Sequence, residues 1–235
     1  ARGLAPYPIL LNFNLKKRIL ACGAELKNTF CLARDNFAFM SHYIGDLENL
    51  ETLTSFEEGI EHFKRIFNIE PTLIAHDLHP EYLATKYALS LKDIPKIGVQ
   101  HHHAHIVSCM IDNEIDGEVI GVSFDGTGYG TDGNIWGGEF LICDYNGFER
   151  AGHLEYLPLP GGEKAVKEPW RMAASVLSKI YDDNMFDIGI NFIKELDRNK
   201  WDTIKKMIDR GINSPVTSSM GRLFDAVSAL VGIRK

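Results

Sequence analysis

No stretch of the 235-residue chain is rich enough in lysine or arginine to form a basic patch. Its 25 basic residues are spread against 32 acidic ones, for a formal charge of −7. The electrostatic footprint of a nucleic-acid binder is therefore missing. No apolar run approaches the roughly 18 residues that a membrane-spanning helix needs, so no membrane partner is expected. No secretory signal peptide is visible, and the expected location is the cytoplasm. Cys22, Cys31, Cys109 and Cys143 contain no Cys-x-x-Cys pair. That argues against a zinc ribbon or a disulfide scaffold and fits a reducing compartment. No glycine loop closes on Gly-Lys-Ser or Gly-Lys-Thr, so a Walker-type phosphate loop is excluded. With 45% hydrophobic and 24% charged residues, the chain has the composition of an ordinary globular protein with a sizeable core. Its length fits one large or two small domains.

What is present is concentrated in one place. Four of the nine histidines fall in His101-His-His-Ala-His105. Pro95-Lys-Ile-Gly-Val-Gln100 before them reads as a short strand, and Ile106-Val-Ser-Cys-Met-Ile111 after them as helix. Residues four apart share a helix face, so His101 and His105 point the same way and His102 and His103 elsewhere. Two imidazoles at that spacing form a two-point clamp for a borderline metal such as zinc or iron. The competing reading is a set of histidines that cap a helix and satisfy buried carbonyls. The run is interior and broken by Ala104, which is unlike a tag.

The hydrophobic pattern places the rest. Ala1-Arg-Gly-Leu-Ala-Pro-Tyr-Pro8 lacks a starting Met and reads as linker, assigned to residues 1–16. Leu230-Val-Gly-Ile-Arg-Lys235 follows closely on an amphipathic helix. Both ends suggest a fragment of a longer polypeptide. Residues 18–22, 28–34 and 37–44 read as three antiparallel strands, the last two joined at Asp35-Asn36. The polar loop Gly23 to Asn28 offers Lys27 to a phosphate, or simply carries a surface lysine. Thr54 to Asn68 is expected as a helix opened by a Ser55/Glu58 capping box, with Phe56, Ile60, Phe63, Ile66 and Phe67 as its apolar face. Strand 72–75, helix 81–90, strand 97–99 and the histidine helix complete a first lobe, residues 1–117. His76, Asp77 and His79, at a strand exit, suit a substrate-facing or structural role better than a metal-binding one. The strand pattern then restarts at Glu118 in a second lobe, residues 118–235. Its strands are expected at 118–124, 135–143 and 148–157, followed by helices near 169–181, 186–197 and 199–210, with Gly211 as a C-cap. A last helix is expected to bury Leu223, Phe224, Val227, Leu230 and Val231.

Six glycines lie between residues 126 and 138. Glycine lets backbone N–H groups approach an anion with no Cβ in the way. Asp125 and Thr127 add a carboxylate and a hydroxyl, a combination suited to a nucleotide phosphate with an associated metal. Gly128-Tyr-Gly-Thr-Asp-Gly133 matches G-x-G-x-x-G only formally, because a strand rather than a helix follows it. The plain alternative is a hairpin turn.

Together, Gln100-His-His-His-Ala-His105, Phe124-Asp-Gly-Thr-Gly-Tyr-Gly130 and Ile135-Trp-Gly-Gly-Glu139 resemble the C-terminal region of the HypF-type carbamoyltransferases of nickel–iron hydrogenase maturation. Cys22 to Cys31, His76-Asp-Leu-His-Pro80, Leu159-Pro-Gly-Gly162, Lys167-Glu-Pro-Trp-Arg171 and Ser218 to Ala226 extend the resemblance over nearly the whole chain. It implies an α/β, two-lobed ATPase fold of the actin, hexokinase and Hsp70 kind, near the threonylcarbamoyl-adenosine synthases, with the first lobe complete and the second truncated and carrying a helical insertion. It also implies that upstream domains turn carbamoyl phosphate and ATP into carbamoyl-adenylate, with magnesium admitted beside the nucleotide. This domain would then pass the carbamoyl group to the C-terminal cysteine of a HypE-type partner. His101, His105 and Asp125 match the family's metal ligands, for zinc or iron. Lys27 and Gly126, Thr127, Gly128, Gly130, Gly137, Gly138, Glu139, Gly161 and Gly162 would line the nucleotide. Lys167, Arg171, Arg222 and Asp225 would orient the carbamoyl group, or else form interhelical ion pairs. Two other functions fit less of the pattern: an O-carbamoyltransferase acting on a small-molecule hydroxyl, and a non-catalytic lobe that docks a maturation partner.

Overall fold

The computed structural model describes residues 5–234, apart from the side chain of Asp183. Residues 1–4, the start of the stretch read above as linker, lie outside the described residues. The chain forms two compact units, residues 1–116 and 117–235.

The first unit is built on a six-stranded sheet in the order β1-β4-β3-β2-β5-β6. The strands are β1 (Pro8–Leu10), β2 (Ile19–Ala21), β3 (Cys31–Arg34), β4 (Phe37–Met40), β5 (Leu73–Asp77) and β6 (Lys96–Val99). β1 to β4 pair antiparallel, whereas β2, β5 and β6 run parallel. Register puts Leu20 opposite Leu32 on one side and Ile74 on the other, a row of fully buried side chains across the sheet centre. Helices α1 (Leu50–Phe67) and α2 (Leu83–Ser90) cover that row with Phe56, Ile60, Phe63, Ala84 and Ala88. Phe30 packs edge-on against both Phe56 and Phe63. Helix α3 (His101–Asp112) follows β6 with a single residue between.

Three expectations for this unit need correction. Residues 8–10, assigned to a linker, form edge strand β1. It is three residues long and exposed throughout, so no hydrophobic alternation marks it. Helix α1 begins a turn earlier than expected. Asn49 is its N-cap, accepting from the Thr52 N–H, and Ser55 lies inside the helix. Asparagine caps as well as serine does, so the Ser55/Glu58 pattern was a decoy. Ile66, placed on the core face, is exposed.

The second unit carries a five-stranded sheet, with β7 (Val119–Tyr129), β8 (Ile135–Cys143) and β9 (Phe148–His153) as its antiparallel centre. Two short strands, β10 (Leu157–Pro158) and β11 (Val216–Thr217), extend it past Ile135. At two residues each they carry no periodicity for sequence reasoning to find. The glycine stretch at 126–129, expected as a turn, is strand. β7 continues to Tyr129 through a register shift between Phe124 and Gly128, and the hairpin turn is confined to 130–134. Helices α4 (Glu163–Lys167), α5 (Trp170–Tyr181), α6 (Asn191–Glu195), α7 (Arg198–Asp209) and α8 (Met220–Leu230), with a 3-10 turn at Asp182–Asp187, make up the rest. Pro169 stands at the N-cap of α5, and Gly211 takes φ +63° just past α7. Helix α8 buries Ala226 and Ala229 against Met172 and Ala173 of α5, while Phe224, Val227 and Val231 are exposed. Sequence reasoning favoured the large residues. The helices instead meet chiefly through alanines, which allow a closer approach; of the expected face Leu230 packs against the core and Leu223 is half-buried, while the other three residues point outward. Among the described residues no helix is long and apolar enough to cross a membrane.

Candidate functional site

In the first unit the three parallel strands end together. Ala21, Asp77 and Val99 close β2, β5 and β6 on the same sheet edge, and open α/β sheets bind ligands outside the carboxyl ends of their strands. A cleft of about 270 Å³ lies there, floored by small residues such as Gly23, Ala24, Ala75 and Ala104, with Asp77, His101 and His105 on its wall. Small side chains keep it open.

The histidines sit in the first turn of α3, fixed by Gln100. Its side-chain carbonyl accepts from the His103 N–H at 2.9 Å, and its amide nitrogen lies 3.1 Å from His102 Nδ1. One side chain thereby caps the helix and anchors the buried His102. Sequence rules that look for Ser, Thr, Asp or Asn at the cap pass over it. His101 and His105 emerge on the cleft side with their Nε2 atoms 3.2 Å apart. Two zinc–nitrogen bonds of about 2.0–2.1 Å at a tetrahedral angle span roughly 3.3 Å, so this donor pair fits a divalent ion with little rearrangement.

Asp77 holds His101 from beneath. It is 8% exposed. Its Oδ2 lies 2.7 Å from His101 Nδ1, and its Oδ1 accepts from the His79 N–H at 2.8 Å. The Asp77 carbonyl accepts from Thr85 Oγ1 at 3.1 Å and lies 2.7 Å from His76 Nδ1. Burial pushes the His79 imidazole below its ordinary pKa, against the opposing pull of Asp77 and Glu81. In the neighbouring loop, Glu25 accepts from the Leu83 N–H and so caps α2 across 58 residues; burial, the largest influence, raises its pKa. Lys27 is exposed, at φ +50°, with its N–H donating to Asp46.

In the second unit Asp125, Gly126 and Thr127 occupy the irregular stretch of β7. Ser219, the N-cap of α8, donates through Oγ toward the carbonyls of Asp125 and Gly126 at 3.0 and 2.7 Å, and the same Oγ accepts from the Arg222 N–H. Gly221 packs so closely on Gly126 that a Cβ would lie 2.9 Å from its Cα. Gly126 itself faces open space, and Thr127 is exposed. Gly137 and Gly138 serve packing. A Cβ on Gly137 would stand 2.6 Å from the Asp125 carbonyl, and one on Gly138 2.5 Å from that of Ser218. Gly130 lies under the Trp136 indole, and Gly128 is buried opposite Trp136.

Glu139 is fully buried. It receives hydrogen bonds from the Gly137 and Gly138 N–H groups, from Ser218 Oγ and from Arg150 Nε at 2.6 Å. Burial opposes its charge, but Arg150, Ser218 and the backbone outweigh that and hold the carboxyl below its ordinary pKa. Arg150 stacks 3.8 Å over the Trp136 ring and reaches Asp132 and Tyr156. Sequence reasoning named neither Arg150 nor Asp132. A lone arginine on a strand gives no signal until its buried partner is known.

Around α4 and α5, Gly161 and Gly162 form a turn with positive φ. Arg171 folds back beneath it, pairing with Glu168 at 2.6 Å and approaching the Pro160 carbonyl. Lys167 pairs with Glu163, and Arg222 Nε lies 2.7 Å from Asp225 Oδ2. These ion pairs are local, three or four residues apart, rather than interhelical.

Comparison with known proteins gives the same answer along the chain. Residues 14–112 match the family model described as the HypF Kae1-like domain. Residues 121–235 match that of the carbamoyltransferase Kae1-like domain, second subdomain. The chain is similar to carbamoyltransferase HypF2 of Cupriavidus necator, 41% identical over 238 residues that take in all of this chain and 29% of the relative. It superposes on a crystal structure of full-length HypF in the phosphate- and nucleotide-bound form with a TM-score of 0.92 and 52% identity, covering 99% of this chain and 36% of that one. For T. kodakarensis HypF the TM-score is 0.87 at 38% identity, over 97% of this chain and 31% of the other. The chain thus spans about a third of the length of each of these three proteins.

Proposed function

The chain belongs to the HypF carbamoyltransferase family, in the region described as Kae1-like, and from that premise we propose that it transfers a carbamoyl group in hydrogenase maturation. The donor is carbamoyl-adenylate, made from carbamoyl phosphate and ATP in the longer protein. The acceptor is the C-terminal cysteine of a HypE-type partner. The cysteine attacks as thiolate. A carbon–sulfur bond forms at the carbamoyl carbon, its bond to the phosphate oxygen breaks, and AMP leaves. The thiocarbamate so formed is the precursor of a cyanide ligand.

The observation that carries this reading is the pair of Nε2 atoms 3.2 Å apart at the C-terminal edge of the parallel strands. A divalent ion, zinc or iron, would supply Lewis acidity there. Asp125 is the oxygen donor of the proposed set on the sequence argument. The chain's own residues do the positioning. Gln100 holds the histidine turn, and Ser219 holds the backbone of Asp125 and Gly126. Gly126 and Thr127, open and exposed, suit close approach by a nucleotide phosphate. Gly137, Gly138 and Glu139, being buried, act by shaping that backbone.

The test is transfer itself. The longer protein is incubated with carbamoyl phosphate, ATP and a HypE-type tail ending in cysteine, and mass spectrometry looks for one added carbamoyl group. Transfer in the native protein that is lost in His101→Ala and His105→Ala supports the proposal. Transfer that survives in both variants refutes the histidine role.

A further inference from the structure

We propose that Asp77 is a positioning residue whose carboxylate fixes the ring and tautomer of His101, so that Nε2 presents its lone pair to a divalent cation. The inference rests on the reading of His101 and His105 as metal donors, and goes beyond it by assigning a task to a residue which that reading does not use.

The argument is one of donors and acceptors. An ionised carboxylate only accepts hydrogen bonds. With Asp77 Oδ2 at 2.7 Å from His101 Nδ1, the Nδ1 atom carries the proton, and the neutral ring leaves its lone pair on Nε2. That is the atom 3.2 Å from His105 Nε2. The carboxylate cannot turn away, because Oδ1 is held by the His79 N–H and the residue is anchored through its carbonyl by Thr85. Asp77 ends β5 directly beside β6, with Val99 as its register partner. The sheet itself therefore delivers the carboxylate beneath the first turn of α3. Metal-binding histidines generally donate their second ring N–H to such a partner, and losing it weakens metal binding.

Asp77→Asn tests this with almost no change in shape. The asparagine carbonyl takes over the His79 N–H, which turns the amide NH2 toward His101 Nδ1. The amide donates, the imidazole proton moves to Nε2, and the lone pair is lost from the cation side. In competition with a chromophoric chelator, the affinity of the chain for zinc falls about 10–100-fold, while cooperative unfolding of the metal-free protein is retained. Nitrogen-15 NMR of the metal-free native chain shows His101 as the Nδ1–H tautomer, and the variant shows Nε2–H. Native zinc affinity in Asp77→Asn, or an Nε2–H tautomer in the native chain, overturns the inference alone. A native chain that takes up no zinc overturns the donor reading and this inference with it. Should the variant fail to fold, the tautomer of the native chain decides.

Discussion

Arg150 Nε lies 2.6 Å from Glu139 Oε2, an ion pair whose carboxylate is closed off from water and whose guanidinium is roofed by Trp136. Breaking a buried pair from one side leaves the other charge unpaired, which costs about 3–5 kcal/mol. Arg150→Met should therefore lower the unfolding free energy of the second unit, measured by urea titration, by an amount in that range. A loss within ordinary surface-substitution scatter would show that the pair is not structural.

Gly137→Ala brings a methyl group to 2.6 Å from the Asp125 carbonyl and 2.9 Å from Ser219 Cα, both backbone atoms that must shift. Overpacking of this kind costs about 1–3 kcal/mol. The Asp125 backbone should move with it, so the amide resonances of Asp125 and Gly126 should change more than those of α7. Unchanged resonances would count against a packing role for this glycine.

Much of this organisation was legible in the sequence. The shared face of His101 and His105 followed from helical spacing, and the α/β class and the two sheets followed from the order of apolar runs. The supports were not legible. Asp77 faces His101 across 24 residues and Ser218 faces Glu139 across 79; pairings of that range leave no local pattern. The glycines of 126–138 were read together as suited to an anion, although Gly137 and Gly138 are spaces for neighbouring backbone. Helix α8 was misjudged because alanine, which packs it, scores weakly beside the exposed Phe224.

Burial works against the charge on Asp132. Hydrogen bonds from Tyr156, Asn134 and the Trp136 indole prevail, and hold its pKa down at about 2. An unfolded aspartate titrates near about 4. The folded-state pKa is the lower one, so the stabilisation is complete above the unfolded value and is lost as pH falls through the folded value. The thermal midpoint should drop between about pH 4 and pH 2 more steeply in the native chain than in Asp132→Asn. Parallel curves would contradict the assignment.

Burial raises the Cys22 thiol to about 12 and the Cys31 thiol to about 11, and moves Cys143 upward as well. Thiolate is the reactive form, and Cys109 is exposed. Iodoacetamide at neutral pH should label Cys109 first, and the other three only after denaturation. Early labelling of Cys22 would contradict the packing of the first core.

Zinc K-edge X-ray absorption on the zinc-loaded chain tests the central claim most directly. The account predicts imidazole scattering from two nitrogens at about 2.0–2.1 Å, reduced to one in His105→Ala. A spectrum without imidazole, or one that His105→Ala leaves unchanged, contradicts it.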